Sequence, residues 1–176
     1  MLGERQLAGG RVLIRQPDPG DGDSYEALLL EPAVSAWLRP EPLPPFHRAD
    51  IEEMLADDLR HWREAGFGPW ALVEAEGGAL VGRVGLRRTS IGGELVTELA
   101  WTVRPAWQGR GLATAAAVEA LVLARSVGVE EVVALVLPAN LASRRVAEKA
   151  GMRSTGEVTH AGLPHLLYRV ELRGAA

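Results

Sequence analysis

Apolar positions along the chain change period repeatedly, and each change marks a new element. Residues 11–16 read RVLIRQ, a short strand-like run closed by Pro17-Asp-Pro-Gly, after which a helix is expected over about 21–30. A Pro-rich loop occupies 39–45. Ile51, Met54, Leu55, Leu59 and Trp62 then recur at helical spacing, with Glu52, Glu53, Asp57 and Asp58 mainly on other faces. This predicts an amphipathic helix packed on something apolar. Gly77-Gly78 and Gly92-Gly93 separate β-prone runs at 70–76, 79–88 and 94–103, the pattern of consecutive hairpins. Downstream the order becomes helix, strand, helix, strand, strand. A helix over 109–127 is apolar around most of its circumference and is expected to lie buried on the sheet, with Ala113, Ala115, Ala116 and Ala117 permitting close approach. A strand at 131–137 stops at Pro138, a helix covers 141–150 with Gly151 in the favoured capping position, and strands near 153–159 and 163–172 end the pattern.

Composition narrows the class. A chain of 176 residues, 47% hydrophobic and without a composition break, predicts one domain over 1–176 with a disordered tail at 174–176. The absence of cysteine rules out disulfides, thiolate metal sites and a cysteine acyl-enzyme. His47, His61, His160 and His165 show no metal-ligand spacing, so no metal is expected. A net charge of -4 and a pI near 5.6 argue against nucleic-acid binding and are compatible with a cationic amine partner. The first residues lack a signal-peptide core, and the apolar stretch near 112–124 is interrupted by Glu119, so a cytoplasmic protein without membrane association is expected.

The candidate chemistry lies in residues 98–125, ELAWTVRPAWQGRGLATAAAVEALVLAR, where a strand, a Gly-rich turn and the Ala-rich helix meet. The first turn of a helix leaves backbone N–H groups without acceptors and carries partial positive charge, so it suits an anion. Gly109 and Gly111 remove side chains that would hold a diphosphate away, Leu112, Ala113 and Thr114 carry the first helical amides, and Arg110 adds a full charge. A P-loop is excluded because no Gly-Lys-Ser/Thr ending is present, and the dinucleotide fingerprint because Thr114 stands where a third small residue is needed. What remains is Gln108-x-x-Gly111-x-Ala113.

This pattern, after a strand ending Trp101-Thr102-Val103, resembles the pyrophosphate-binding motif of the GNAT superfamily of acyl-CoA N-acetyltransferases. Residues 140–152, beginning Asn140-Leu-Ala-Ser143, look like the Asn-x-x-Ser helix of the branch that acetylates ribosomal-protein N-termini (RimJ/RimL-like). Leu13-Ile-Arg15, Asp23 and residues 31–38 are similar to its opening segment. The resemblance implies an α/β fold: a mixed, mostly antiparallel twisted sheet of about seven strands, helices on both faces, and a splay between the fourth and fifth strands, 94–103 and 131–137. It implies acetyl-CoA as co-substrate and transfer to a primary amine, with a protein or peptide N-terminal amine favoured. Relatives also take small amines, amino acids and aminoglycosides, and a non-catalytic CoA-binding module stays open.

Site residues follow from the same resemblance. Backbone groups of Thr102 and Val103 would bond the pantetheine amides, and residues 108–114 would hold the diphosphate. Arg104, Arg144 and Arg145 are candidates for the ribose 3'-phosphate. Asn140 would help position the pantetheine arm, as well as fitting a helix N-cap, and Ser143 would point at the thioester sulfur. Many members carry a Tyr seven residues after the Asn to protonate the departing thiolate; here Ala147 occupies that position, which leaves Ser143 or a water as the acid. The base would be Glu98 or a water chain; Glu98 is the best-placed carboxylate, sharing a strand face with Val96, Ala100 and Thr102, and a charge pair with Arg83 or Arg87 or a solvated edge position is its alternative. Trp37, Trp101 and Tyr168 are candidate acceptor-pocket residues. Apolar strand edges would allow a monomer or a homodimer.

Overall fold

Residues 5–172 are described in the structure, a computed structural model, and in them the β-prone runs pair into one eight-stranded sheet. The expected tail at 174–176 lies outside the described residues. The elements are β1 (Arg5–Leu7), β2 (Val12–Arg15), α1 (Gly22–Leu29), α2 (Pro32–Leu38), α3 (Arg48–Ala65), β3 (Pro69–Glu74), β4 (Leu80–Ile91), β5 (Glu94–Val103), α4 (Leu112–Ser126), β6 (Glu131–Val136), α5 (Leu141–Lys149), β7 (Arg153–His160) and β8 (Leu163–Glu171). Their order across the sheet is β1-β2-β3-β4-β5-β6-β8-β7, antiparallel throughout except for β5 beside β6.

The sheet therefore has eight strands rather than about seven. The added strand, β1, is a three-residue edge that hairpins onto β2, too short to show a period in sequence. Helix α2 has no distinct signal in the sequence, because Pro32 and the following Pro-rich loop look like a continuous irregular segment. Proline is tolerated there since the first helical N–H has no partner in any case.

Side-chain alternation sorts the helices onto two faces. On β4, Val84 and Leu86 point into a cluster with Ala116, Ala117, Ala120 and Ala124 of α4 and Ala147 of α5. The adjacent Arg83 points the other way and bonds to Asp58 on α3. Ala71 and Val73 of β3 join Tyr25, Leu28, Leu29, Val34, Ile51 and Leu55 on that second face, called here the front. Full burial of side chains such as Ile51 and Leu55 stabilises by roughly 1.5–3 kcal/mol each. The small residues of α4 do what their size allows, with Ala116, Ala117, Ala120 and Ala124 wholly buried against the sheet.

Candidate active site

The turn between β5 and α4 is built from backbone. A 3-10 turn at Pro105–Trp107 leads into Gln108, and Gly109 and Gly111 then take left-handed conformations (φ 73° and 74°). Those values favour glycine, and a Cβ at either position would meet no heavy atom within 4 Å, so the loop is open to an incoming group. Gly111 is the N-cap and supplies no side-chain cap, and Ala115 N–H donates to its carbonyl at 2.9 Å. The N–H groups of Leu112, Ala113 and Thr114 precede that bond and have no intrahelical acceptor. The Arg110 guanidinium lies 5.2 Å over the Trp107 ring at the same turn. Open glycines, amides without intrahelical acceptors and a cation fit a diphosphate. The Gln108 side chain does not join them: its amide donates to the Val103 carbonyl at 2.8 Å and clips the loop to the end of β5.

Next to this turn the sheet opens. Strands β5 and β6 share a single register pair, Glu98 with Val133, whereas β4 and β5 pair along their length. The ladder phase determines which β5 groups face the gap. Arg104 N–H donates to the Val81 carbonyl at 2.9 Å, which makes Thr102 and Arg83 a pair that exchanges backbone bonds within the ladder. Thr102 therefore turns its N–H and C=O toward β4, and the expectation that they face pantetheine is corrected. Trp101 and Val103 present their backbone groups to the splay instead.

Helix α5 borders the same gap. Asn140 is its N-cap, its Oδ1 accepting the Ser143 N–H at 3.0 Å. The Ser143 hydroxyl accepts from the Trp101 indole N–H at 3.3 Å, a link from β5 to α5 that sequence spacing does not reveal. Ala147 is completely buried in the cluster beneath α5. Arg145 is exposed, and Arg144 has a buried Nε with no hydrogen-bond partner among the described residues. Arg104 is withdrawn from the phosphate candidates, because it donates to the Leu80 carbonyl (2.8 Å) and to Glu31 (3.1 Å).

The front face carries the charges. Glu98 is 5% exposed, and Arg87 from the neighbouring strand donates to its Oε2 through Nε at 2.8 Å, with Nη2 in ion-pair contact with the same oxygen at 2.8 Å. Of the two arginines considered for it, Arg83 goes elsewhere. Its Nε and Nη2 bond both oxygens of Asp58 at 2.6 and 2.5 Å, and the Tyr25 hydroxyl donates to the same carboxylate at 3.0 Å. Burial acts to lower the Arg83 pKa, but Asp58 outweighs it and holds the guanidinium charged. Burial pushes the Tyr25 hydroxyl up, and the Asp58 charge adds to it. A signal for this network was present: Asp58 occupies the spacing of the stripe Ile51, Leu55, Trp62, as a buried polar position would.

Two clefts open on this face. One of about 410 Å³, running from the tip of the β4–β5 hairpin to β7 and β8, is lined by Ile91, Val96, Val133, Val158 and Leu167, with Glu94 and Arg169 among its polar groups. The other, about 250 Å³, lies between α3 and β4 beside Arg83 and Arg87. Trp37 is exposed on α2 and lines neither, and Trp101 is corrected as an acceptor-pocket residue, because its ring packs on the main core cluster of the opposite face and lines neither cleft. Tyr168 is corrected as an acceptor-pocket residue: it is 1% exposed in the core cluster on the opposite face, and its hydroxyl donates to Glu148 at 3.2 Å. His61 bridges two elements, accepting the Arg88 N–H while its other ring nitrogen meets the Asp57 carbonyl. No cluster of metal-ligating side chains occurs among the described residues, and no helix among them is long and apolar enough to cross a membrane.

Comparison with known proteins agrees with this architecture. A Bordetella pertussis protein described as a GNAT-family acetyltransferase superposes with a TM-score of 0.79 at 26% identity, over 95% of this chain and 98% of that one. The ribosomal-protein-S5-alanine acetyltransferase of Vibrio fischeri gives 0.76 at 14% identity, covering 96% of each chain. A Salmonella typhimurium acetyltransferase solved with its cofactor acetyl-CoA gives 0.70 at 22%, over 94% of this chain and 96% of that one. The last two show a shared fold alone. The sequence model of the acetyltransferase (GNAT) domain matches residues 11–153, most of the chain. The chain belongs to the GNAT acetyltransferase family, as an acetyl-CoA-dependent N-acetyltransferase.

Proposed function

We propose that the protein, working as a single domain in the cytoplasm, transfers an acetyl group from acetyl-CoA to the N-terminal amine of a protein or peptide. The observation that carries the cofactor half is the open Gly109–Gly111 turn at the start of α4, set beside a splay where β5 and β6 pair at one position. The acceptor half rests on the 410 Å³ cleft. Its largely apolar walls begin at Val96 and Val133, the face-sharing and register neighbours of Glu98, and receive an uncharged chain segment better than a polycationic amine.

Amides of Leu112, Ala113 and Thr114, with Arg110, hold the diphosphate, and Arg145 with Arg144 reaches the 3'-phosphate. The backbone N–H and C=O of Trp101 and the N–H of Val103, whose carbonyl holds Gln108, bond the pantetheine amides like a neighbouring strand. Acetyl-CoA supplies an activated acyl group whose leaving group is a thiolate. An amine acceptor is mostly ammonium at neutral pH and must lose a proton to be nucleophilic. Glu98 takes that proton; Arg87 engages Oε2, so the task falls to Oε1. Ser143 donates to the departing sulfur, and no covalent enzyme intermediate is formed. Turnover of acetyl-CoA with peptides bearing an apolar first residue should exceed that with polyamines, and the reverse order would overturn the acceptor assignment. Glu98→Gln should lower kcat/KM at low and neutral pH and recover as the acceptor deprotonates itself; an unaltered pH profile removes Glu98 from the mechanism.

A further inference from the structure

Trp101 and Ser143, 42 residues apart, are joined across the splay by the indole N–H donating to the hydroxyl oxygen at 3.3 Å. Ser143 is fixed at its main chain as well, since its own N–H is held by Asn140 in the first turn of α5. A serine hydroxyl has one proton to give and two lone pairs, and near a helix start that proton is ordinarily turned back on a local backbone carbonyl. An indole N–H only donates. It must take a lone pair, so the Ser143 proton is directed away from Trp101. The ring itself is half-buried, packed on the main core cluster opposite Val84, so its N–H is held in place by packing.

We propose that Trp101 is a positioning residue for acyl transfer: its indole N–H fixes the Ser143 hydroxyl with the proton turned into the splay, where the leaving sulfur would lie. The inference rests on the acid role given to Ser143 above. In that step the acceptor nitrogen's lone pair forms the C–N bond and the C–S bond breaks with its electrons going to sulfur. Sulfur takes the Ser143 proton, Ser143 recovers one from solvent, and Glu98, having passed to solvent the proton it took from the ammonium, accepts the surplus proton on nitrogen. The products are an acetamide and a free thiol. With Ala147 where a tyrosine would supply a fixed acid, a serine needs such an external constraint to present its proton consistently.

Trp101→Phe keeps a ring and deletes the N–H. It should lower kcat about tenfold, a fraction of what a general acid contributes, with the acetyl-CoA Kd by calorimetry unchanged. In a Ser143→Ala background it should cause no further loss, because Trp101 acts through that hydroxyl. The bond can also be read in the free protein: the Trp101 indole N–H resonance should move upfield in Ser143→Ala and stay near its position in Ser143→Thr. An indole resonance indifferent to Ser143→Ala, or the same Trp101→Phe loss in both backgrounds, overturns the inference, as does Trp101→Phe with full turnover when Ser143→Ala is impaired. Full turnover in Ser143→Ala would overturn the acid role itself, a separate and recognisable result.

Discussion

Asp58→Asn is the substitution whose cost the structure defines best. The Arg83 guanidinium and the Asp58 carboxylate have side chains only 7% and 2% exposed, joined by two short bonds, with Tyr25 on the same carboxylate. Arg83 stays charged in this setting because Asp58 outweighs the burial that opposes its charge. Neutralising Asp58 therefore strands a buried cation between α3 and β4. An exposed pair would cost about 0–1 kcal/mol to break, whereas removing one partner of a buried pair costs about 3–5 kcal/mol. For a chain of this length, at roughly 2–4 °C per kcal/mol, the melting temperature should fall by roughly 6–20 °C. Urea unfolding of Asp58→Asn, Arg83→Met and Asp58→Leu/Arg83→Met would measure it. The double variant should lose less than either single, since both desolvation costs disappear and only the Tyr25 hydroxyl is left without its acceptor, at about 1–3 kcal/mol. A loss under about 1 kcal/mol for Asp58→Asn, or single losses that simply add, would refute the reasoning.

Two other perturbations separate the phosphate turn from the rest of the fold. Gly111→Ala meets no neighbouring atom but forces a side chain into a left-handed conformation, so it should cost about 1–2 kcal/mol of stability while weakening acetyl-CoA binding about tenfold or more by calorimetry, an estimate of about 1.4 kcal/mol; an unchanged Kd would mean the diphosphate does not approach this glycine. At Asp21, burial works to raise the carboxyl pKa, but the Arg15 hydrogen bond and the Asp18 N–H outweigh it and hold it below its ordinary value. Its stabilisation is thus complete above about pH 4 and is lost as pH falls through the lower folded value. Asp21→Asn should cost about 1 kcal/mol at pH 7 and flatten the acid limb of urea midpoint against pH, and parallel curves for the two proteins would contradict this.

Much of the fold was legible because its signals are local. The α3 stripe, the Gly-Gly hairpins and the Ala-rich α4 each declare themselves within a few residues, and the predicted splay coincides with the single β5–β6 register pair. What failed depended on phase or on long separation. Whether Thr102 or Trp101 faces the gap is set by which β4 residues it bonds, and no β5 periodicity contains that. Tyr168 alternates correctly for a strand residue, yet the face it takes follows from Ala134, its register partner in β6, which points toward the α4 side. Arg104 and Gln108 look like anion ligands from composition, but each has a nearer carbonyl to satisfy, Leu80 for one and Val103 for the other.

The same alternation explains why the two proton-handling groups of the proposed reaction do not interfere. Glu98 and Trp101 are an odd number of residues apart on β5, so they project from opposite faces of the sheet. Glu98 lies on the front with Arg87, and Trp101 on the back, where it meets Ser143 of α5. Had Trp101 shared the Glu98 face, the Ser143 hydroxyl it holds would lie beside that carboxylate, where the two groups could bond each other instead of the substrate. A continuous sheet would keep the two faces apart for a substrate as well. Because β5 and β6 separate beyond their one shared pair, a thioester carbonyl lying in the gap can be approached by nitrogen from the front while sulfur departs toward the back. In the proposed reaction the splay would be the place where groups on both faces of β5 reach one carbon, beside the single Glu98–Val133 pair and within reach of Trp101.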